Sequence, residues 1–221
     1  MERPVIETID ATVVSREVVV DAVTRVIEAG GLVIFPTDTV YGIGCDPRRL
    51  SAVERIFEVK GRPAHKALSL HLATVTEALE YCGHEAGART AVARLLPGAV
   101  TVIVRRPRFI DPRVVGGGET MGLRVPADDL CAAICESAGP LAATSANRSG
   151  MPAYRGEEGA ESLPLADLFV YGGATRLKGE STVINVLGGR PRIVRDGVVS
   201  PQRLEAALGA VDRSNGAGGT S

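Results

Sequence analysis

The sequence predicts an α/β (mixed α+β) fold, a twisted and mostly mixed β-sheet flanked by helices. Three observations carry this reading. Helical and strand patterns alternate along the chain, which builds layers of helices on a sheet. The 221 residues are 45% hydrophobic and 23% charged, as in an ordinary globular chain rather than a disordered one. The 26 glycines follow no Gly-X-Y period, so they mark tight turns and close backbone approaches rather than collagen.

In order, residues 17–29 form an amphipathic helix, with Val18, Val19, Ala22, Val23, Val26 and Ile27 on one face and Gly30-Gly31 as its stop. Residues 32–35 are wholly apolar and end at Pro36, as a buried strand does. Residues 37–47 read as irregular. A helix over 50–60 turns Leu50, Val53, Ile56 and Phe57 inward and stops at Gly61. Residues 67–72 alternate, with Leu68, Leu70 and Leu72 on one side. Helices follow near 75–81 and 86–96, then a strand at 100–105, a loop at 107–118 and a strand at 121–125. Asp128 and Asp129 open a helix that ends near 137. A short strand at 141–144 leads into a polar loop over 145–156. Strands at 168–171, 182–186 and 192–195 and a helix at 201–208 complete the pattern. One domain is expected over 1–210, with a disordered tail at 211–221.

Composition excludes several functions. A net charge of −1 argues against strong global attraction to nucleic acid. Aromatic residues make up 4% and Trp is absent, too few for a base-stacking platform. No signal-peptide pattern heads the sequence, and no apolar run nears the roughly 20 residues of a membrane span. A cytoplasmic location without a membrane is expected. Cys45, Cys82, Cys131 and Cys135 form no close-spaced framework and read as reduced thiols. The sequence has no G-x-x-x-x-G-K-[ST] phosphate loop and no G-x-S-x-G elbow, and its three histidines lack zinc-ligand spacing.

Four clusters remain. Lys60-Gly61-Arg62-Pro63-Ala64-His65-Lys66 puts cations at a helix C-terminus, either as a solvated cap or as a clamp for a polyanion. Thr144-Ser145-Ala146-Asn147-Arg148-Ser149-Gly150 follows a strand, either as a plain turn or as a loop that turns backbone N–H groups to an anion. Thr37 and Thr39 follow the buried strand at 32–35, where ligands of open α/β sheets collect. Arg124 lies inside a strand and needs a partner, with a ligand carboxylate and a structural Asp or Glu equally natural.

Taken together, these segments resemble the YrdC family of threonylcarbamoyl-AMP synthases in its single-domain form. The resemblance rests on Phe35-Pro36-Thr37-Asp38-Thr39-Val40-Tyr41-Gly42, Lys60-Gly61-Arg62-Pro63 with Lys66, Leu68-Ser69-Leu70-His71, Pro97-Gly98-Ala99-Val100-Thr101, Gly122-Leu123-Arg124-Val125-Pro126, Thr144-Ser145-Ala146-Asn147 and Ser181-Thr182-Val183. It includes the family's K-x-R and S-x-N signature and spans about residues 15 to 208. Here Ala67 follows Lys66 where the family usually has Pro, and Asp38 replaces a frequent Glu.

The resemblance implies a YrdC-like fold with a concave cationic cleft. It implies a nucleotidyltransferase that joins L-threonine, bicarbonate or CO₂, and ATP into L-threonylcarbamoyl-AMP and releases pyrophosphate. A separate transferase complex then acts on tRNA, and this protein itself binds nucleic acid weakly or not at all. The resemblance places Thr39, His71, Arg124, Ala143 and Ser181 around threonine. Around ATP it places Arg62, Lys66, Thr120, Ser145, Asn147, Ala153 and Arg195, with Lys60, Arg62 and Lys66 as catalytic cations. Mg²⁺ is expected to arrive with ATP, held by no protein side chain, and no organic cofactor is expected. The alternatives are a non-catalytic RNA-binding module and a carbamoyl-transfer module of the same fold.

Overall fold

The computed structural model describes residues 7–157 and 159–213. The strands are β1 (Glu7–Asp10), β2 (Val33–Phe35), β3 (Gly42–Cys45), β4 (Ser69–His71), β5 (Val100–Arg105), β6 (Thr120–Arg124), β7 (Leu141–Ser145), β8 (Leu168–Tyr171), β9 (Thr182–Asn185), β10 (Arg192–Arg195) and β11 (Asp212–Arg213). The helices are α1 (Arg16–Glu28), α2 (Leu50–Lys60), α3 (Val75–Glu80), α4 (Ala86–Leu95), α5 (Asp129–Ala138) and α6 (Pro201–Leu208). The described strands form one mixed sheet in the order β1-β8-β2-β3-β7-β4-β6-β5-β9-β10-β11.

The period-2 rule of strands divides the core. On β2, Ile34 enters a large core with α2, α3, α4 and α6, while Val33 and Phe35 enter a smaller one with α1 and α5. On β7, Ala142 joins the large core, and Leu141 and Ala143 the smaller. The smaller core draws its strand residues from β2, β7 and β8. On β4, β5, β6 and β9 the large core takes Leu70, Val102, Leu123 and Ile184, and the residues between them face the other way.

Three strands depart from the sequence expectation. β3 was hidden by two glycines, which weaken strand propensity. The ring of Phe35 on β2 packs close over both: a Cβ would lie a tight 3.1 Å from Phe35 Cζ at Gly42 and 3.0 Å from Cε1 at Gly44. β1 pairs parallel with β8 through a polar, partly exposed segment that carries no hydrophobic alternation. β11 pairs parallel with β10 at Asp212 and Arg213, which corrects the start of the tail expected at 211–221. The rest of that tail lies outside the described residues. The loop expected at 107–118 contains a 3-10 turn at Pro112–Val115. All four cysteines are free and buried.

Helix ends aim the segments around the sheet. Gly61 adopts φ 58° at the end of α2, and its N–H and that of Arg62 return to the Glu58 and Phe57 carbonyls. Asp128 caps α5 by accepting from the Cys131 N–H at 2.8 Å. Asp128→Ala is expected to cost about 1 kcal/mol, and Asp128→Asn only a fraction of that, because Asn keeps the accepting oxygen. Chemical denaturation of the two variants checks the ordering.

Candidate functional site

The residues of β4, β5, β6 and β9 that turn away from the large core form the floor of a cleft of about 400 Å³. Ser69 and His71, Thr101 and Ile103, Gly122 and Arg124, and Val183 lie on it. Gly122 keeps it deep, because a Cβ there would sit 2.6 Å from Ser69 Oγ and 2.7 Å from Thr101 Cγ2. The C-terminus of α2 and its basic loop bring Lys60, Arg62 and Lys66 to the rim. The loop after β7 brings Ser145 and Asn147, and the segments at β9 and β10 bring Glu180, Ser181 and Arg195.

Arg124 is held from behind. Its Nη2 donates to Asp38 Oδ1 at 2.5 Å and to Thr39 Oγ1 at 2.6 Å. The proton directions are fixed, since arginine only donates and a carbonyl only accepts. Thr37 donates to the Val40 carbonyl at 2.7 Å, so it accepts from Thr39 at 3.1 Å, and Thr39 in turn accepts from Arg124. Both alternatives for Arg124 therefore bear on one residue: the acidic partner is Asp38, and the guanidinium still lines the cleft. A guanidinium has two edges with parallel N–H bonds, and both include Nη2, whose two hydrogens are taken. Nε is buried without a partner, as are Asp38 Oδ2 and His71 Nδ1. Burial pulls the Arg124 pKa down, against the Asp38 charge that holds it up. Burial, with Arg124 beside it, pulls His71 down to about 3, so the ring is neutral. It meets Phe35 edge-on at 6.0 Å.

On the far side, Arg195 Nη2 donates to the Ser181 carbonyl at 2.9 Å and to its Oγ at 3.0 Å. Ser181 Oγ lies 2.9 Å from Thr101 Oγ1. Arg195 also pairs with Glu180 at 3.5 Å. Arg62 folds back on its own loop, with Nε to the Lys66 carbonyl at 3.1 Å and Nη2 to that of Ala67 at 2.9 Å. Burial lowers its pKa, and the nearby Arg195 charge lowers it further. Lys66 is exposed, and its ammonium has no partner among the described residues.

Of the two readings of the loop after β7, its backbone N–H groups follow the plain turn. Those of Ala146, Asn147, Arg148, Ser149 and Met151 bond the carbonyls of Tyr41, Ser145, Ser162, Lys60 and Arg148. Ser145 Oγ donates to Asn147 Oδ1 at 2.6 Å, and Asn147 Nδ2 donates to the Met151 carbonyl at 2.6 Å. The loop is knitted to itself and to Lys60.

Of the residues expected at the site, Lys60, Arg62, Lys66, His71, Arg124, Ala143, Ser145, Asn147, Ser181 and Arg195 line the cleft. Thr39 stands behind Arg124. Thr120 shares the face of Gly122 and Arg124 but sits at the exposed end of β6, and Ala153 lies beyond the loop, so neither lines the cleft. Sequence reasoning missed Tyr41, Ser69, Gly122 and Glu180, and assigned no role to Asp38 or Thr101. The even spacing of Ser69 with His71 and of Gly122 with Arg124 carried a signal for two of them. Tyr41 has none in sequence. Its hydroxyl donates to the Gly173 carbonyl at 2.7 Å and accepts from the Gly172 N–H at 2.8 Å.

The fold is a mixed α/β sheet with a cleft lined by Lys60, Arg62, Lys66, Arg124 and Arg195. A family model described as Sua5_yciO_yrdC, telomere recombination, matches residues 25–197. The chain belongs to this family. The threonylcarbamoyl-AMP synthase of Bacillus subtilis (strain 168) is 36% identical over 191 residues, covering 84% of this chain and 55% of the relative. That of Pyrococcus abyssi is also 36% identical over 191 residues, covering 84% and 56%. The chain thus spans about half the length of these relatives. The crystal structure of P. abyssi Sua5 complexed with L-threonine matches with a TM-score of 0.84 at 32% identity, over 95% of this chain and 62% of that one. Escherichia coli YciO shares the fold, with a TM-score of 0.76 over 92% of this chain and 99% of that one at 24% identity.

Two predictions follow from the buried groups. Asp38→Ala strands the Arg124 charge and is expected to cost about 3–5 kcal/mol in denaturant titration. His71 gives a pH signature. The unfolded ring binds a proton near 6.5 and the folded one only near 3. Between these values the unfolded state holds more protons, so stability falls as pH falls below 6.5, by up to about 1.4 kcal/mol per pH unit. His71→Gln is expected to remove that part of the slope when unfolding is compared at pH 7 and pH 5.

Proposed function

We propose that the chain synthesises L-threonylcarbamoyl-AMP from L-threonine, bicarbonate or CO₂, and ATP. One observation carries the reading: unpartnered buried polar atoms, Arg124 Nε and His71 Nδ1, belong to a cleft floor that opens onto a rim of cations with Glu180 as its acidic member. A small polar substrate suits the floor, and a polyphosphate suits the rim. The relatives named above support the choice among such substrates.

The ammonium group of threonine loses a proton, and the resulting amine and bicarbonate condense to the N-carboxylate with release of water. A carboxylate oxygen attacks the α-phosphorus of ATP, and the bond to the β-phosphate bridging oxygen breaks to release pyrophosphate. Arg124 bonds the threonine carboxylate through N–H bonds that Asp38 and Thr39 leave free. Lys66, Arg62 and Arg195 hold the phosphates, where positioning and charge stabilisation serve in place of a nucleophile. ATP brings Mg²⁺ as part of the substrate. Its phosphates and bound water carry that ion. The product passes to a transferase acting on tRNA, with no tight RNA binding by this chain. No described helix is long and apolar enough to cross a membrane, and the reading assigns the protein to the cytoplasm, where tRNA is modified.

The test is pyrophosphate release by the purified chain, expected only when ATP, threonine and bicarbonate are all present. Tight RNA binding at physiological salt with no release would overturn the reading in favour of an RNA-binding module. The halves of the site separate by substitution. Arg124→Lys keeps a charge for Asp38 but loses the guanidinium N–H bonds left free for a ligand, so threonine is expected to bind at least about tenfold more weakly with ATP unchanged. Lys66→Ala is expected to do the reverse. Calorimetric titration of each ligand into each folded variant decides.

A further inference from the structure

We propose that Lys60 is a positioning residue: its buried ammonium sets the 145–149 loop, and through it the nucleotide half of the cleft, without touching the nucleotide. The inference rests on the reading above for its substrate and departs from it on this residue, which was expected among the catalytic cations.

Geometry carries it. Lys60 ends α2 and is only 3% exposed, whereas Lys66 six residues on is exposed. Its Nζ donates to the Ser145 carbonyl, to the Asn147 carbonyl at 2.5 Å and to Asn147 Oδ1 at 3.3 Å. An ammonium has three N–H bonds, and these three oxygens use all of them. The same residue grips the loop a second time, since its carbonyl accepts from the Ser149 N–H at 2.8 Å. Three oxygens that converge on one point repel each other unless a cation stands between them. The S-x-N segment therefore takes its shape from a charge supplied by the K-x-R segment.

That charge is labile. Burial, with the Arg62 charge beside it, draws the ammonium down to about 7, and Glu180 opposes them. These are the charged groups that face it, Arg62 from the loop after its own helix and Glu180 from the segment before β9. On the loop itself the only charged side chain, Arg148, is exposed. A neutral amine has two N–H bonds for three oxygens, so the loop loosens as pH rises through this range.

The experiment follows the backbone amides of residues 145–149 and the labelled lysine side chains by NMR in the whole chain from pH 6 to 9. It is paired with KM and kcat for ATP and threonine. The loop amides are expected to move with the Lys60 side chain, with a midpoint near 7 and well below 10.5, while the amides of Ser69 and Gly122 stay put. KM for ATP is expected to rise several-fold across the same range with KM for threonine flat. In Lys60→Met the loop amides are displaced at every pH and the pH dependence of KM for ATP is gone. A Lys60→Met protein that loses ATP affinity with its loop amides unmoved at pH 6 would make Lys60 a phosphate ligand and overturn the proposal, as would loop amides that stay put while the Lys60 side chain titrates. If Lys60→Met does not fold, the wild-type titration decides alone. If no pyrophosphate forms under any condition, the synthase reading fails, and the amide shifts still judge Lys60.

Discussion

Half of one sheet face is left without a helical cover among the described residues, and the site follows from that constraint. The helices α1 and α5 bury the alternating residues of β2, β7 and β8 in the smaller core. Across β4, β6, β5 and β9 the same face is the cleft floor. Large apolar side chains there would form an exposed patch. Small and polar ones, such as Ser69, Gly122 and Thr101, leave a depression whose walls are hydrogen-bonding groups. The opposite face of the same strands is packed by Leu70, Val102 and Leu123, so the floor is rigid.

Placing Arg124 in such a floor forces a second arrangement. A guanidinium that is 4% exposed needs its charge balanced, and Asp38, at 1%, supplies that from the loop after β2. The loop must then be ordered itself. Thr37 and Thr39 relay the bond to the Val40 carbonyl, and the Leu177 N–H bonds the Asp38 carbonyl at 3.0 Å. The consequence for chemistry is a guanidinium with one end spent on the protein and Nε unspent.

This explains what was legible in the sequence. Residues that obey a period were readable: α2 by its apolar face and Gly61, β4 by its leucines, β6 by the Arg in an apolar run. The cleft residues that share those strands were readable in part, because a polar residue between two core leucines must face something else. β3 was not readable, since Gly42 and Gly44 answer to a ring on the neighbouring strand rather than to any local propensity. The roles of the cations were not readable either. Lys60, Arg62 and Lys66 look alike in sequence, yet one is buried on three oxygens, one folds back on its loop and one is exposed. That difference arises from the left-handed turn at Gly61 and from which carbonyls the chain brings near, both tertiary facts.

The rim then has a property that no single residue has. Burial and then the nearby Arg195 charge lower the Arg62 pKa, and burial and then Arg62 lower that of Lys60. Like charges gathered at one rim raise the free energy of the empty cleft, with Glu180 as the carboxylate that relieves it. A polyanion entering there gains its own attraction and also relieves that repulsion. The cations are held by the fold, through Ser181 for Arg195 and through the Lys66 and Ala67 carbonyls for Arg62. They cannot spread apart to lower the repulsion by themselves. The field is therefore in place before any ligand arrives.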